Sequence, residues 1–361
     1  MKNRLLVTFI FVATFGYSQD KQVLKLWYDK PSGNTWENAL PVGNGRLGAM
    51  VYGNVEKEIV QLNEHTLWSG SPNRNDNPMA LDSLAKIRQL IFEGKQKDAE
   101  QLANKVIISK KSQGQMFEPA GELQLVFDGH DGYTNYYREL DIGRAVTKTV
   151  YSVGDITYTR EVLASLPDRV VVLHLTASKP KSISFTALYA AGMPGELITT
   201  NPAQQLTFAG TTIDHEGVKG MVKYKGIVQI VPRRGATSLT DTSVIISNAD
   251  EVTIYISIAT NFNNYNDLSG DENARAAVYL AGAVKKTFPE ILKGHTAAYQ
   301  KYFNRVKLNL GKSSSNAVPT DERLKRFSTT NDPQFAALYF QYGRYLLISA
   351  SQPGGQAANL Q

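Results

Sequence analysis

Between residues 24 and about 260 the chain repeatedly alternates apolar and polar side chains over short runs, and no other feature limits its fold as much. The runs fall at 122–128, 146–153, 156–162, 170–175, 183–188, 226–231, 244–247 and 252–258. A period of two buries one face of a strand and wets the other, as in antiparallel sheets. Turn formers punctuate them at Asp131-Gly132, Gly154-Asp155, Lys179-Pro180 and Asn248-Ala249-Asp250. So many short strands in one stretch predict a mainly β chain built on a large antiparallel β-sandwich.

Helical spacing interrupts this pattern once and then replaces it. Asn77-Pro78 opens a small helical insertion, because Asn accepts from the free N–H groups of a first turn and Pro has none to leave unpaired. Leu81, Leu84, Ile87, Leu90 and Ile91 recur at helical spacing, Gly94 breaks the run, and Ala99, Leu102, Ala103 and Val106 form a second helix. After about residue 270 helix dominates. Residues 272–286 carry Ala277, Val278, Ala281 and Val284. Pro289 opens a helix with Ile291, Leu292, His295, Tyr299, Tyr302, Phe303 and Val306 on one face. A Ser-rich linker follows at 312–316, and Asp332-Pro333 starts a helix with an apolar stripe of Phe335, Leu338, Tyr339, Tyr342 and Leu346. Such a stripe needs a partner layer, and Gln361 lies only fifteen residues beyond Leu346. The expectation is a helical domain cut short.

Composition narrows the chemistry. The 361 residues contain no cysteine, which excludes disulfides, thiolate metal sites and cysteine nucleophiles. Five histidines (65, 130, 174, 215 and 295) are scattered without metal-ligand spacing, so no metal or organic cofactor is expected. Residues 1–18 read as a secretory signal: Lys2 and Arg4, a short apolar run from Leu5 to Phe15, and small residues Gly16 and Ser18 before a cut ahead of Gln19. That implies export to the periplasm or outside the cell. The run is too short to span a bilayer and no later one is longer, so no membrane span is expected. The formal charge of +6 becomes +4 without Lys2 and Arg4. It is spread out in isolated pairs such as Lys110-Lys111 and Arg233-Arg234, with no dense basic block, which argues against a nucleic-acid partner.

Three clusters could carry function. In WENALPVGNGRLGAMVYG (36–53), Gly43, Gly45 and Gly48 surround Asn44 and Arg46. No Gly-Lys-Ser/Thr follows, and 47–52 reads as strand, so this is no phosphate loop. Either it is a tight turn with Arg46 paired to an acid, or it presents Trp36, Glu37, Asn44 and Arg46 to a polar ligand. In QLNEHTLWSGSP (61–72), Asn63, Glu64, His65 and Trp68 combine an aromatic face with groups that hydrogen-bond hydroxyls, the mixture that binds sugars. The same residues would equally form a buried polar brace. Glu118 and Glu122, in FEPAGEL (117–123), are either an acid/base pair or turn carboxylates.

Together the segments at 36–53, 62–70 (LNEHTLWSG), 119–123 (PAGEL), 137–141 (YRELD), 319–324 (PTDERL) and 338–348 (LYFQYGRYLLI) resemble glycoside hydrolase family 95, the α-L-fucosidase type, in that family's order. The resemblance implies an N-terminal β-sandwich at 19–265 after the signal at 1–18, a helical linker at 266–318, and at 319–361 the first helix of a truncated (α/α)6 barrel. It also implies an exported, cofactor-independent, inverting hydrolase that releases terminal L-fucose from glycans; related members act on L-galactosides. In the family a glutamic acid protonates the glycosidic oxygen, and asparagines aided by an aspartate activate water. Those residues follow the Ala-Asn-Leu-Gln stretch, here 358–361, so no catalytic residue carries over. The chain departs from the family in reading Gly355-Gln-Ala-Ala-Asn359 where Leu-Pro usually precedes Ala-Asn. Trp36, Glu37, Asn44, Arg46, Glu64 and Trp68 are the residues expected to touch glycan. The alternative is a non-catalytic carbohydrate-binding or structural sandwich.

Overall fold

The computed structural model describes residues 24–109, 114–311, 313 and 317–358. The signal at 1–18, most of the 312–316 linker and residues 359–361 lie outside them. The strands are β1 (Lys25–Tyr28), β2 (Leu40–Gly43), β3 (Leu47–Val51), β4 (Lys57–Glu64), β5 (Gly121–Val126), β6 (Thr134–Asp141), β7 (Val146–Val153), β8 (Ile156–Ala164), β9 (Val171–Ala177), β10 (Ile183–Ala191), β11 (Leu197–Asn201), β12 (Gln205–Thr211), β13 (Lys223–Arg233), β14 (Ala236–Leu239), β15 (Ser243–Ala249) and β16 (Glu251–Thr260). The helices are α1 (Ala80–Phe92), α2 (Gln96–Val106), α3 (Glu272–Ala283), α4 (Phe288–Phe303), α5 (Thr320–Arg326) and α6 (Pro333–Ala350).

The strands form two antiparallel sheets, ordered β1-β6-β7-β8-β9-β16-β13-β12-β11 and β14-β15-β10-β5-β4-β3-β2. Their facing sides share one core, in which Val60, Leu62, Leu123 and Leu125 from the smaller sheet meet Leu173, Val228, Ile254 and Ile256 from the larger. The chain is a β-sandwich with added helices. The eight alternating runs all fall on strands, yet β9 and β16 do not keep a wet face. Val171 through Leu175 and Val252 through Thr260 are buried throughout. The cause is a third layer: α3 and the start of α4 lie on the outer face of the larger sheet, packing Ala276, Leu280, Ala283, Phe288 and Ile291 onto Val172, Ile227 and Tyr255.

That layer corrects the stripe read for α3. The helix forms, but it buries Ala276, Leu280 and Ala283, whereas Val278 is 68% exposed. Alanines at the contact bring the helix close enough for Ser257 to donate to the Ala276 carbonyl at 2.9 Å. In the α1–α2 insertion, Ile87, Leu90, Ala99 and Val106 make a small core of their own, and Leu81, Leu84 and Ile91 stay exposed. Asn77 fastens this hairpin at both ends, accepting from Met79 N–H and donating to Ile108 O.

Two polar links seat the C-terminal helices on the sandwich. Along α4, His295 faces the carbonyls of Arg144 and Ala145, Tyr299 donates to Ile142 O at 2.6 Å and Gln300 to Gly143 O at 3.1 Å. On α6, Tyr345 donates to Pro41 O at 2.5 Å. Asp332 caps α6 at Phe335 N–H while holding Arg323 through both carboxylate oxygens, at 2.9 and 3.0 Å. Of the expected α6 stripe, Phe335 and Leu338 are buried with Leu26, Leu140 and Phe303. Tyr339 and Leu346 are exposed on the opposite flank with Phe340 and Leu347.

Candidate functional site

A cavity of about 500 Å³ opens where the larger sheet, α3 and the residues after α6 converge. The β2–β3 turn contributes Arg46, and the end of β4 contributes Glu64 with His65 and Thr66. The end of β16 runs on into Phe262, Asn263 and Asn264. Helix α3 adds Arg275 and Tyr279, and the far wall is Gly354 to Gln356.

Each side chain is placed by its own hydrogen bonds. Arg46 donates to the carbonyls of Ile258 and Arg169, and its guanidinium lies 4.5 Å over the Tyr279 ring. Its Nη1 is 3.6 Å from Glu64 Oε1. Burial lowers the Arg46 pKa, and the Glu64 carboxylate pushes it back up. The other Glu64 oxygen accepts from the Thr66 N–H at 2.7 Å and hydroxyl at 2.5 Å. His65 Nδ1 sits 3.2 Å from the Arg46 carbonyl, so that nitrogen is the donor in this contact. Arg275 donates to the carbonyls of Thr260 and Phe262 at 2.9 and 2.8 Å. The wall thus combines two aromatic rings, Phe262 and Tyr279, with both signs of charge, imidazole and carboxamide. Such a surface matches C–H patches and hydroxyls together. Among the described residues no three His, Cys, Asp or Glu side chains cluster as a metal site would require.

Of the residues singled out in the sequence, Arg46, Glu64 and His65 meet at this cavity. Asn44 lies directly behind it, buried: its Oδ1 accepts from the N–H groups of Arg46 and Leu47, and its Nδ2 donates to Ser165 O. Trp68 stands edge-on to Phe117 and ties back to His65 O at 3.0 Å, outside the cavity wall. Trp36 and Glu37 precede β2 and are exposed at the opposite end of the β2–β3 hairpin from Arg46. Glu118 and Glu122 share no partner. Glu118 is buried, accepts from Ile213 N–H and is raised in pKa by that burial, whereas Glu122 lies on the outer face of β5 between Gln61 and Gln124. Sequence reasoning passed over Thr66, Asn263, Asn264, Arg275 and Tyr279. A legible signal for two of them was the Asn-Phe-Asn-Asn-Tyr-Asn run directly after a strand.

Two glycines of the first cluster, Gly43 and Gly45, seat α6. Gly45, at φ +80°, donates to Ser349 O at 2.7 Å, and a Cβ there would lie 2.7 Å from Gln352 Cβ. A Cβ on Gly43 would lie 2.7 Å from Ser349 O, a backbone atom at the end of α6. Gly43→Ala should therefore cost about 1–3 kcal/mol. Gly48→Ala on the same hairpin, with nothing nearer than 3.9 Å, should be close to neutral. Urea midpoints of the two variants compare them, and equal midpoints would show that α6 is not seated on this turn.

Comparison with known proteins brings the halves of the chain together. Residues 26–265 match the family described as glycosyl hydrolase family 65, N-terminal domain, and residues 287–361 match the glycosyl hydrolase family 95 catalytic domain. A protein named Alpha-L-fucosidase 2 from Arabidopsis thaliana is 36% identical over 369 residues, covering 94% of this chain and 43% of its own length. The chain joins a glycosyl hydrolase family 65 N-terminal domain to the start of a family 95 catalytic domain. Two further relatives, each named "Probable alpha-fucosidase A", come from Aspergillus niger (31% identical, 93% of this chain, 44% of the relative) and Aspergillus oryzae (25%, 93% and 48%). The chain thus spans less than half the length of these relatives. The cavity is bounded both by the segment that matches the N-terminal domain and by residues 354–356, which belong to the catalytic-domain match.

Proposed function

We propose that this chain is the glycan-facing part of an exported, inverting hydrolase that releases terminal L-fucose from fucosylated glycans, with the acid and the water-activating groups lying beyond Gln361. The observation that carries this reading is the cavity at the junction of the two family segments, where Arg46, Glu64, His65, Asn264 and Tyr279 offer the contacts a deoxyhexose ring requires. The fucosidase names of the relatives support L-fucose as the sugar. The chain's coverage of less than half their length fits catalysis lying elsewhere.

The test uses the 361-residue chain with methyl α-L-fucoside and a fucosylated trisaccharide. Saturable binding at millimolar concentration is expected, weakened at least tenfold by Glu64→Gln, with no fucose released. Measurable release would place the catalytic groups inside this chain. Flat titrations would leave a purely bracing sandwich, the role that the Gly43 and Gly45 contacts with α6 favour. Export is tested separately: mass spectrometry of the secreted protein should give a first residue of Gln19.

A further inference from the structure

Beyond the cavity wall the loop at 261–270 carries its own chemistry. It leaves β16 and is closed by Gly270 N–H on Asn261 O at 3.0 Å. Asn263 N–H donates to Asp267 O and Asp267 N–H returns to Asn264 O, at 2.9 and 3.1 Å. Arg275, on α3, grips the loop at Phe262 O. The tip of this braced loop is Tyr265, 82% exposed, between Asn264 and Asn266. The three residues preceding it, Phe262, Asn263 and Asn264, line the cavity, so Tyr265 follows directly on the cavity wall in the chain. Asn264 Oδ1 accepts from Asn266 N–H at 3.1 Å, which turns the tip and leaves two exposed carboxamides beside the aromatic face.

We propose that Tyr265, with Asn264 and Asn266, is a sugar-stacking platform at the mouth of the cavity. It takes a pyranose unit on the leaving-group side of a fucosylated oligosaccharide whose terminal residue enters the cavity. The platform rests on the cavity reading above and adds a preference for extended glycans. An aromatic face meets the C–H side of a pyranose, and carboxamides meet its equatorial hydroxyls. A braced loop holds that face without an ordering cost at binding.

The experiment titrates methyl α-L-fucoside and fucosyllactose into the 361-residue chain and into its Tyr265→Ala and Tyr265→Trp variants, with circular dichroism as the folding control. Fucosyllactose should bind about three- to tenfold more tightly than methyl fucoside. Tyr265→Ala should remove that advantage while leaving methyl fucoside unchanged, and Tyr265→Trp should keep it. If both sugars bind equally to the native chain, or the advantage survives in Tyr265→Ala, the platform is wrong and the cavity reading stands. If neither sugar binds, the cavity reading fails and the platform with it. A self-association abolished by Tyr265→Ala, with unaltered sugar binding, would assign the ring to a protein contact and overturn the proposal.

Discussion

Replacing Arg160 by alanine should lower stability by about 3–5 kcal/mol, the largest single-residue effect expected in this chain. Arg160 projects from β8 in the larger sheet, 5% exposed, and Glu58 from β4 in the smaller, 2% exposed. They meet at 3.1 Å between the sheets. Arg160 also donates to the carbonyls of Asn54 and Val55 and to the Tyr151 hydroxyl, at 2.6 to 2.7 Å, and lies 4.0 Å over the Phe127 ring. Burial raises the Glu58 pKa, and the Arg160 charge is the main influence pulling it back. Removing Arg160 strands a carboxylate and three acceptors in a dry interior, and that desolvation dominates the loss. Replacing both partners, as Arg160→Met with Glu58→Gln, should recover part of it. Urea unfolding followed by circular dichroism measures both variants. A loss under about 1 kcal/mol in Arg160→Ala would show that water reaches the pair.

Acid should release the C-terminal helices, and His295 is the group that makes it do so. Its Nε2 lies 3.1 Å from the carbonyls of both Arg144 and Ala145, so that nitrogen bears the proton, while Nδ1 is buried with no acceptor. Burial drops its pKa to about 4, against the pull of the two carbonyls. An unfolded histidine titrates near 6.5. Between those values the unfolded chain binds a proton that the folded chain refuses, so the stability present above pH 6.5 is lost as pH falls towards 4. The loss amounts to about 3 kcal/mol for His295. His130, lowered to about 4 mainly by burial and next by Arg160, adds a change of the same sign. Glu196, raised to about 7 by burial, works the other way, so a variant comparison isolates the effect. Melting temperatures at pH 7.5 and 4.5 should fall less in His295→Gln than in the native chain. Equal falls would show that His295 is protonated without loss.

How much of this was legible in the sequence depended on what covers each surface. Alternation located β5, β7, β8, β10 and β15 because each has a core face and an open one. It did not mark β11 and β14, which are the outermost strands of their sheets and carry short Thr- and Ser-containing runs such as Leu197–Asn201. Nor could it mark the continuous burial of β16, which depends on α3 from a distant part of the chain. In α3 the larger side chains Val278 and Val284 drew the expected stripe one position off the alanines that touch the sheet. The site was half legible for a related reason. Arg46 and Glu64 lie in different motifs and are joined by the β3–β4 pairing, in which Leu47 opposes Glu64. Trp36 is nearer to Arg46 in sequence and lies a full hairpin length away.

The link from β1 to α5 also sets a schedule. Trp27 N–H donates to Thr320 Oγ1 at 2.8 Å, across 293 residues of chain, and Tyr345 reaches Pro41 across 304. At ribosomal speeds Thr320 emerges roughly 15–60 s after Trp27. Until then the first strand can pair with β6 while its other contacts wait, and closing so long a loop is slow. The N-terminal edge therefore cannot lock until Thr320 has been made, and the leading end of a nascent chain stays open at least until then.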